Sequence, residues 1–265
     1  MVSLAPLRWD GDSFAPADYC DPSEFVLEVA DSWLVRGGEA FALALHETRF
    51  RDGAAKQGFD RVDVDGFWNA ALAEIPRRGD WFPRVELQSR AGAPSLIFRL
   101  RAAPELTLSV KLASHLGADP RIAPTVKGPD LSAMSRLRTA AQQHGADEAV
   151  LLTEDGFVTD GSTTALLWWR GDTLCSPRAD FKRVDSVTAK SLISLAGALG
   201  IETLGEAITP MELDGCEVWA VNALHGIRMV TEWMSGPGLA EQPGRLALWR
   251  NRREALRRPL EGPSA

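Results

Sequence analysis

The sequence predicts a two-lobed α+β protein, and three observations support this prediction. The chain has 265 residues, of which 45% are hydrophobic, and this is enough for one large or two small packed cores. Strand-like runs rich in β-branched and aromatic residues alternate with segments of helical periodicity. Residues 117–125 contain two prolines and form the best linker candidate. We therefore predict a smaller N-terminal lobe of residues 1–116, this linker, and a larger C-terminal lobe of residues 126–265.

The first lobe is predicted to be a small sheet flanked by helices. Residues 1–22 show no sustained periodicity and are expected to be an irregular lead-in. A hairpin is expected around Gly37-Gly38, between residues 25–35 and 40–43. A short helix begins within residues 45–53, and a second helix covers residues 63–75 before Pro76. Further strands are predicted at residues 81–88, 95–101 and 105–111.

The second lobe is predicted to contain helices and a larger set of strands. Leu131, Met134, Leu137 and Ala141 form a helical stripe that Gly145 ends. Residues 149–152 and 157–159 are joined by a Glu-Asp-Gly turn, which indicates a hairpin. Asp185 or Ser186 caps the next helix. Strands are expected at residues 164–169, 173–176, 216–221 and 227–233, and a surface helix after Pro243.

Composition excludes several classes of protein. A net charge of -7 argues against a nucleic-acid-binding surface. No apolar run reaches the length of a membrane span and the start lacks a secretory signature, so a cytoplasmic location is expected. The three cysteines, Cys20, Cys175 and Cys216, form no CxxC pair and are expected to be buried apolar residues. Four dispersed histidines indicate no metal site, and no P-loop, dinucleotide fingerprint or G-x-S-x-G elbow is present.

The order of motifs between residues 126 and 169 is the most informative feature of the sequence. Lys127 precedes the amphipathic helix and the hairpin, whose second strand ends in Thr159-Asp160-Gly161 before S-T-T and an apolar strand. Residues 145–169 also match the pattern "GADEALLL…G.V.EG…N". The chain thus resembles the fold-type IV pyridoxal phosphate enzymes, the class IV aminotransferases, over residues 31–233. The resemblance implies a D-amino acid aminotransferase-like fold with a smaller α/β lobe and a larger β-barrel-like lobe with helices.

The resemblance implies a binding site for pyridoxal 5′-phosphate. Lys127, one of only five lysines, takes the place of the Schiff-base lysine. Asp160 takes the place of the glutamate that pairs with the protonated ring nitrogen, on a side chain one methylene shorter. Without the resemblance, Lys127 would be read as a solvated lysine and Asp160 as a turn residue.

The resemblance also implies a site for the cofactor's phosphate. Ser186, Val187 and Thr188 occupy the family's G-I-T element at a helix N-terminus, where free N–H groups favour an anion. Arg49 matches the arginine of the H-x-x-R-L signature, which clamps the same phosphate through bidentate bonds. The alternative for residues 186–188 is an ordinary capped helix. His46, in the same signature as Arg49, is expected to be structural.

Within the family, the sequence is most similar to 4-amino-4-deoxychorismate lyases. Asn222-Ala223-Leu224 is similar to their N-A-L segment, which places Asn222 and Ala223 beside the cofactor. Ser32 stands where the lyases carry a threonine that delivers a proton to the departing pyruvate, or it is simply a strand residue. Ala30 and Leu34 replace the phenylalanine and arginine of the same F-x-T-x-R motif, a departure that affects substrate recognition. Arg228 is either a ligand of a substrate carboxylate or a strand-face charge.

Three hypotheses follow. The leading one is a lyase that converts 4-amino-4-deoxychorismate to 4-aminobenzoate and pyruvate for folate synthesis, with Lys127 also serving as general base. The second is an aminotransferase acting on branched-chain or D-amino acids. The third is a non-catalytic protein that retains the fold and binds a ligand or partner. The resemblance implies a homodimer that acts on a small-molecule amine. The sequence alone fixes neither the substrate, the stereochemistry nor the residues that a second subunit donates.

Overall fold

A computed structural model describes residues 5–17 and 25–260 of the chain. The chain forms two compact units. The first comprises Met1–Glu105, Val126–Pro129 and Leu256–Ala265, and the second comprises Leu106–Thr125 and Asp130–Ala255. These units divide the chain differently from the predicted lobes, since residues 117–125 belong to the second unit and Lys127 to the first. The physical reason is local, because the main chain at Lys127 is hydrogen-bonded to Ala30.

The first unit contains a five-stranded antiparallel sheet with the strand order β2-β1-β8-β7-β3. Leu7 and Arg8 pair with β8, so the prediction of an irregular start is wrong for the first two strands. Strands of three residues are too short to show a periodicity in the sequence. Cys20 lies outside the described residues. The strands are β1 (Leu7–Trp9), β2 (Phe14–Pro16), β3 (Val26–Ser32), β7 (Arg84–Arg90) and β8 (Ala93–Arg99).

A second sheet of four short strands completes the first unit, in the order β17-β5-β4-β6. The predicted hairpin at Gly37-Gly38 is confirmed as the turn between β4 and β5. Both glycines have positive φ angles, of 57° and 83°. The last strand comes from the end of the chain, which pairs with β5. The strands are β4 (Val35–Arg36), β5 (Glu39–Phe41), β6 (Asp80–Trp81) and β17 (Arg257–Pro259).

Two helices, α1 (Leu43–Lys56) and α2 (Val64–Ala73), carry much of the first core. Phe50 in α1 and Trp68 in α2 are fully buried, and the Trp68 ring lies 4.7 Å from that of Trp33. The predicted helix at residues 63–75 is confirmed, and Asp63 caps it by accepting a hydrogen bond from the amide of Gly66 at 2.9 Å. The first helix extends beyond the predicted residues 45–53.

The second unit is built around a curled, mixed sheet of eight strands in the order β11-β10-β9-β16-β15-β12-β13-β14. The predicted hairpin at Glu154–Gly156 is confirmed by the pairing of β10 with β11. The strands are β9 (Ser109–Ser114), β10 (Glu148–Leu152), β11 (Val158–Gly161), β12 (Ala165–Arg170), β13 (Thr173–Pro177), β14 (Thr203–Glu206), β15 (Glu217–Asn222) and β16 (Gly226–Met234).

Both faces of this sheet are buried, which explains why its central strands read as continuous apolar runs. Leu166 and Trp168 of β12 lie in one hydrophobic cluster, together with Cys175 and Cys216. Residues of the opposite face of β12 and β15 lie in a second cluster with the helices. The burial predicted for both cysteines is confirmed. The helices are α3 (Leu131–Gln143), α4 (Val187–Ala198) and α5 (Arg245–Glu254), with a 3-10 turn at Pro210–Leu213.

The surface helix that the sequence predicts after Pro243 is confirmed as α5, in which two of the ten residues, Trp249 and Arg253, are buried. Its Trp249 is 2% exposed and packs with Trp169 and Trp219, at ring distances of 5.5 and 5.8 Å. The charged residues of the tail mask this single apolar anchor in the sequence. In the part of the chain that the structure describes, no helix is long and apolar enough to cross a membrane.

Gly128 is predicted to be intolerant of any side chain. Its φ is +149°, and a Cβ atom there would lie 2.7 Å from Val29 Cα and 2.8 Å from Ala30 N. Because backbone atoms cannot move aside cheaply, we expect Gly128→Ala to lower the free energy of unfolding by about 1–3 kcal/mol beyond any cost of the φ angle itself. Urea denaturation measures this loss.

The matched control is Gly58→Ala, in the same unit. Gly58 also has a positive φ, of +83°, but no atom lies within 4 Å of its would-be Cβ. We expect Gly58→Ala to lower the free energy of unfolding only by the cost of a positive φ, about 1–2 kcal/mol. Equal losses in the two variants would contradict the close contact between Gly128 and β3.

Candidate cofactor and active site

Lys127 lies in the first unit, in a segment without regular secondary structure. Its carbonyl oxygen accepts a hydrogen bond from the amide of Ala30 in β3, with an N–O distance of 2.7 Å. The next residue, Gly128, approaches the same strand too closely for a side chain. The main chain of Lys127 is therefore fixed against β3, and this restricts the space that its amine can reach.

Asp31 of β3 is almost fully buried, with 1% exposure, and is held by two residues of α1. Arg49 donates to it from Nε at 2.8 Å and from Nη2 at 2.7 Å, which is bidentate geometry. The Nδ1 atom of His46 lies 2.9 Å from Asp31 Oδ1. Burial alone would raise the pKa of Asp31, but Arg49 and His46 more than offset it, and the pKa lies well below its ordinary value.

Arg49 is thus a fixed cation, and His46 has the structural role that the sequence predicts. Burial is the main cause that lowers the pKa of His46, and Asp31 only partly opposes it. The positive charge of Lys127 contributes to the same lowering, which places Lys127 in the electrostatic environment of His46. Asp31 was not among the residues predicted for the site, although a carboxylate in a largely apolar strand was an available signal.

Ser32, the predicted proton donor, lies at the end of β3 and is 9% exposed. Its Oγ accepts a hydrogen bond from Nη2 of Arg101 at 3.2 Å. Arg101 is itself held by the carbonyl of Phe82, at 3.1 Å from Nε. The Ser32 hydroxyl is therefore oriented by a cation that sequence reasoning missed. The role of Arg101 could not be predicted, because its hydrogen bond to Ser32 joins residues that are far apart in the chain.

The sheet face around Ser32 carries an excess of positive charge. Ser32 pairs with Arg84 across β3 and β7, and Arg84 pairs with Arg99 across β7 and β8. Glu86 on the same face contacts both arginines, at 2.6 and 3.1 Å. Together with Arg101, three guanidinium groups face one carboxylate. Burial is the main cause that lowers the pKa of Arg84 and Arg101, and neighbouring arginines add to the lowering, as expected where cations are crowded. We call these three arginines, with Ser32 and Glu86, the arginine face.

Asp160, in the second unit, lies near the end of β11 and is 8% exposed. Its Oδ2 lies 3.6 Å from Nη1 of Arg121. The Arg121 guanidinium is fixed by Asp119, at 2.7 Å from Nη2, and by the carbonyl of Lys182 at 3.1 Å. A fixed cation therefore lies next to the Asp160 carboxylate. The role of Arg121 could not be predicted from the sequence, because this residue lies in the predicted linker.

A buried carboxylate, Glu148, orders the turn that follows Asp160. Glu148 is 0% exposed and accepts hydrogen bonds from Ser162 Oγ at 2.5 Å, from the amide of Thr163 at 2.9 Å and from the Thr163 hydroxyl. Arg228 donates to the same carboxylate from Nη2 at 3.2 Å and is 2% exposed. This buried ion pair favours the strand-face alternative for Arg228 over the role of a substrate ligand.

The N-terminus of α4 has the properties of an anion site. Ser186 caps the helix by accepting a hydrogen bond from the amide of Ala189 at 3.3 Å, which selects Ser186 over Asp185 as the cap. Thr188 is 1% exposed, and its hydroxyl has no hydrogen-bond partner among the described residues. A buried hydroxyl without a partner is costly, so a ligand oxygen at this position would satisfy it.

Asn222 and Ala223 begin the turn between β15 and β16. Asn222 donates to the carbonyl of Thr163 at 3.3 Å and accepts from the amide of His225 at 2.8 Å. The turn is therefore tied to the turn that follows Asp160. Burial and then Arg228 lower the pKa of His225 to about 4, so its ring is neutral and its Nδ1 accepts the amide of Thr107 at 3.1 Å.

The side chains fit pyridoxal phosphate in their chemistry. The first unit offers the Lys127 amine and the Arg49 cation. The second unit offers the Asp160 carboxylate and the helix N-terminus with the unpartnered hydroxyl of Thr188. Pyridoxal phosphate has an aldehyde, a basic ring nitrogen and a phosphate, and each of them is chemically complementary to one of these protein groups. No group of histidine, cysteine or acidic side chains that could hold a metal ion occurs in the described part of the chain.

Solved structures share this fold across most of the chain. A hypothetical aminotransferase from Mycobacterium tuberculosis, in its PLP-bound form, has a TM-score of 0.79 at 15% identity and covers 95% of this chain and 98% of its own. A protein described as a 4-amino-4-deoxychorismate lyase, from Legionella pneumophila, has a TM-score of 0.74 at 19% identity, with coverage of 86% and 91%. The branched-chain aminotransferase of Thermoproteus uzoniensis, solved with norvaline, has a TM-score of 0.78 at 19% identity, with coverage of 96% and 99%. A comparison with curated proteins found no match.

The family model for Amino-transferase class IV matches residues 28–233, which is more than half of the chain. The chain therefore belongs to the class IV aminotransferase family. The prediction of a fold-type IV architecture is confirmed. The cofactor of the family is pyridoxal 5′-phosphate, so the protein is a pyridoxal phosphate-dependent enzyme that acts on small molecules. This membership favours an enzyme over the alternative of a non-catalytic protein.

Thr188 provides a direct test of the phosphate site. We expect Thr188→Val to leave the free energy of unfolding of the cofactor-free protein unchanged or slightly higher, because it removes an unpartnered buried hydroxyl. We expect the Kd for pyridoxal phosphate to rise on the order of tenfold, since a hydrogen bond to a charged phosphate is lost. Fluorescence titration measures the Kd, and urea denaturation measures the stability.

Ser191→Ala on the same helix is the matched control. The Ser191 hydroxyl is already satisfied by the carbonyl of Val187 at 2.8 Å, so its removal leaves the affinity for the cofactor unchanged. An unchanged Kd in Thr188→Val would contradict the assignment of this helix N-terminus to the phosphate.

Proposed function

We propose that the protein is a lyase that converts 4-amino-4-deoxychorismate to 4-aminobenzoate and pyruvate. The observation that carries the proposal is the hydrogen bond from Arg101 to the hydroxyl of Ser32, at 3.2 Å. Because Ser32 accepts from a guanidinium there, its own proton remains available for donation. The positively charged neighbour also favours the transfer of that proton to a leaving group.

Lys127 and Asp160 carry the binding and the first proton transfer in this proposal. Bound pyridoxal phosphate supplies an aldehyde for an amine and a ring that accepts electrons from the substrate. Lys127 would hold the cofactor's aldehyde, and its free amine would take the proton from the ring carbon that bears the substrate amine. Asp160, which lies beside Arg121, would pair with the cofactor's ring nitrogen.

Ser32 acts at the other end of the substrate. When the bond between the ring carbon and the ether oxygen breaks, its electron pair leaves with the enolpyruvate oxygen. Ser32 then delivers a proton to the methylene carbon of this fragment, which gives pyruvate, and the remaining ring becomes the aromatic 4-aminobenzoate. The proton that Lys127 removes and the proton that Ser32 supplies balance, so that the enzyme is restored by one proton transfer between these groups or through water.

The arginine face supports an anionic substrate. 4-Amino-4-deoxychorismate carries two carboxylates, and guanidinium groups bind carboxylates with matched, bidentate geometry. Arg84 and Arg99 retain partial exposure, at 24% and 31% of their side chains, although both contact Glu86. A pocket for a branched aliphatic side chain would be apolar instead, which argues against a branched-chain substrate.

The second candidate is an aminotransferase on the same scaffold. It is favoured by the likeness of the fold to the branched-chain aminotransferase of Thermoproteus uzoniensis and to the Mycobacterium tuberculosis aminotransferase. The latter was solved with alpha-ketoglutarate, a dicarboxylate that would also suit an arginine face. In this reading Lys127 moves a proton between the substrate carbon and the cofactor. A homodimer is proposed in either case on the family resemblance, and a cytoplasmic location stays a prediction.

Product analysis with Ser32 variants tests the proposal. The holoenzyme is expected to release 4-aminobenzoate and pyruvate in equal amounts from 4-amino-4-deoxychorismate, measured by liquid chromatography. Ser32→Ala is expected to lower kcat by about 10²–10⁴-fold, the range for loss of a general acid, while Ser32→Thr keeps most of the activity. A KM that changes little would show that the loss lies in proton transfer.

Ser89→Ala on β7 is the control for general damage to the sheet. Ser89 is 6% exposed and donates to Glu28 at 2.5 Å, so its loss disturbs a comparable buried hydrogen bond. We expect its kcat to stay within about twofold of the unchanged enzyme. Conversion of an amino acid to its keto acid, without any 4-aminobenzoate, would replace the lyase by the aminotransferase.

A further inference from the structure

We propose that Asp130 is a positioning residue for Lys127, whose cofactor role is the function proposed above. Asp130 comes three residues after Lys127 and is 8% exposed. Its Oδ1 accepts the amide of Ile122 at 2.8 Å, and its Oδ2 accepts the amide of Ala123 at 3.0 Å. One buried carboxylate therefore joins both ends of the chain segment that contains Lys127.

The carboxylate of Asp130 makes hydrogen bonds that are unusual for a residue at a helix N-cap. It occupies the N-cap of α3, where an aspartate ordinarily accepts an amide of the first helical turn. No side-chain cap bond of this kind is present, because both oxygens are turned back to the incoming chain. The adjacent N-terminus of α3 still stabilises the negative charge through its dipole. The Asp130 side chain therefore bonds the amides of residues 122 and 123 instead of an amide of the first turn of α3.

The residues that Asp130 holds are themselves anchored in the second unit. Arg121, directly before Ile122, is fixed by Asp119 and by the carbonyl of Lys182. The same guanidinium faces Asp160 at 3.6 Å. The bonds from Asp130 therefore connect the start of α3 to residues 119–123, which we call the platform. This platform also contacts the carboxylate assigned to the cofactor's ring nitrogen.

Within the first unit, Lys127 is fixed by separate contacts. The amide of Ala30 donates to its carbonyl at 2.7 Å, and Gly128 lies against β3. Lysine is a long side chain with several rotatable bonds, so a defined position for its amine requires a rigid main chain. Asp130 supplies this rigidity at the two ends of the segment. A reactive lysine on an unrestrained loop would spend only part of its time in reach of an aldehyde.

The test compares Asp130→Ala and Asp130→Asn in the full chain with two readouts. The first is hydrogen exchange at the amides of Ile122 and Ala123. The second is the rate at which pyridoxal phosphate becomes attached to Lys127, trapped with borohydride and located by peptide mapping. We expect Asp130→Ala to speed the exchange and slow the attachment, each on the order of tenfold or more. Asp130→Asn keeps one acceptor oxygen and is expected to lie between.

Asp63→Ala is the matched control, because Asp63 is the N-cap aspartate of α2 and accepts the amide of Gly66 at 2.9 Å. Asp63→Ala loses a carboxylate–amide hydrogen bond at a helix N-terminus, yet the attachment rate at Lys127 stays unchanged. Unaltered exchange at residues 122 and 123 in Asp130→Ala would overturn the proposal. So would faster exchange with an attachment rate equal to that of Asp63→Ala. A wild-type chain that attaches no cofactor at Lys127 would instead refute the proposed function itself, and this inference with it.

Discussion

The close approach of residues 127–128 to β3 is the constraint on which the rest of the candidate site depends. A hydrogen bond from the Ala30 amide and the absence of a side chain at Gly128 bring the lysine segment onto the strand. The strand in turn continues into Asp31 and Ser32. One short stretch of backbone therefore arranges a candidate nucleophile, a buried acid and a candidate proton donor within one compact unit. The geometry comes from the main chain, which is more rigid than any side chain.

Buried carboxylates perform the remaining positioning, and each is fully engaged. Asp31 holds the cation of Arg49, Glu148 holds the turn after Asp160, and Asp130 holds the chain before Lys127. A buried charge is tolerated only where partners compensate for the lost water, and here the partners are cations and backbone amides. Such sites contribute little net stability but define one arrangement strongly. Burying these carboxylates costs free energy, and it gives the candidate site residues a defined orientation.

Local features of the structure could be predicted from the sequence, whereas contacts between distant residues could not. The hairpin turns at Gly37-Gly38 and Glu154–Gly156 follow from short-range turn chemistry, and the cap at Asp63 from side-chain hydrogen bonding. By contrast, the pairing of β17 with β5 joins residues more than 200 positions apart. The strands β1 and β2 are too short for a periodic signal.

In the candidate site, too, the local motifs could be predicted from the sequence, and the contacts between distant residues could not. The motif order around Lys127 and Asp160 was sufficient to identify the family, because the spacing of several elements is specific even where single residues differ. The partners of these residues were not predictable. Arg101 reaches Ser32 across 69 positions, and Arg121 reaches Asp160 from a segment predicted to be a linker. Such pairs depend on the tertiary arrangement of strands and loops, which local patterns in a single sequence do not predict.

The location of the cofactor on the protein tests whether Lys127 is the lysine that binds it. The purified enzyme with pyridoxal phosphate is reduced with borohydride, and its peptides are mapped by mass spectrometry. We predict a visible absorption band that disappears on reduction, with the pyridoxyl group on Lys127 alone among the five lysines. A pyridoxyl group on another lysine, or no reducible band in the presence of excess cofactor, would contradict it.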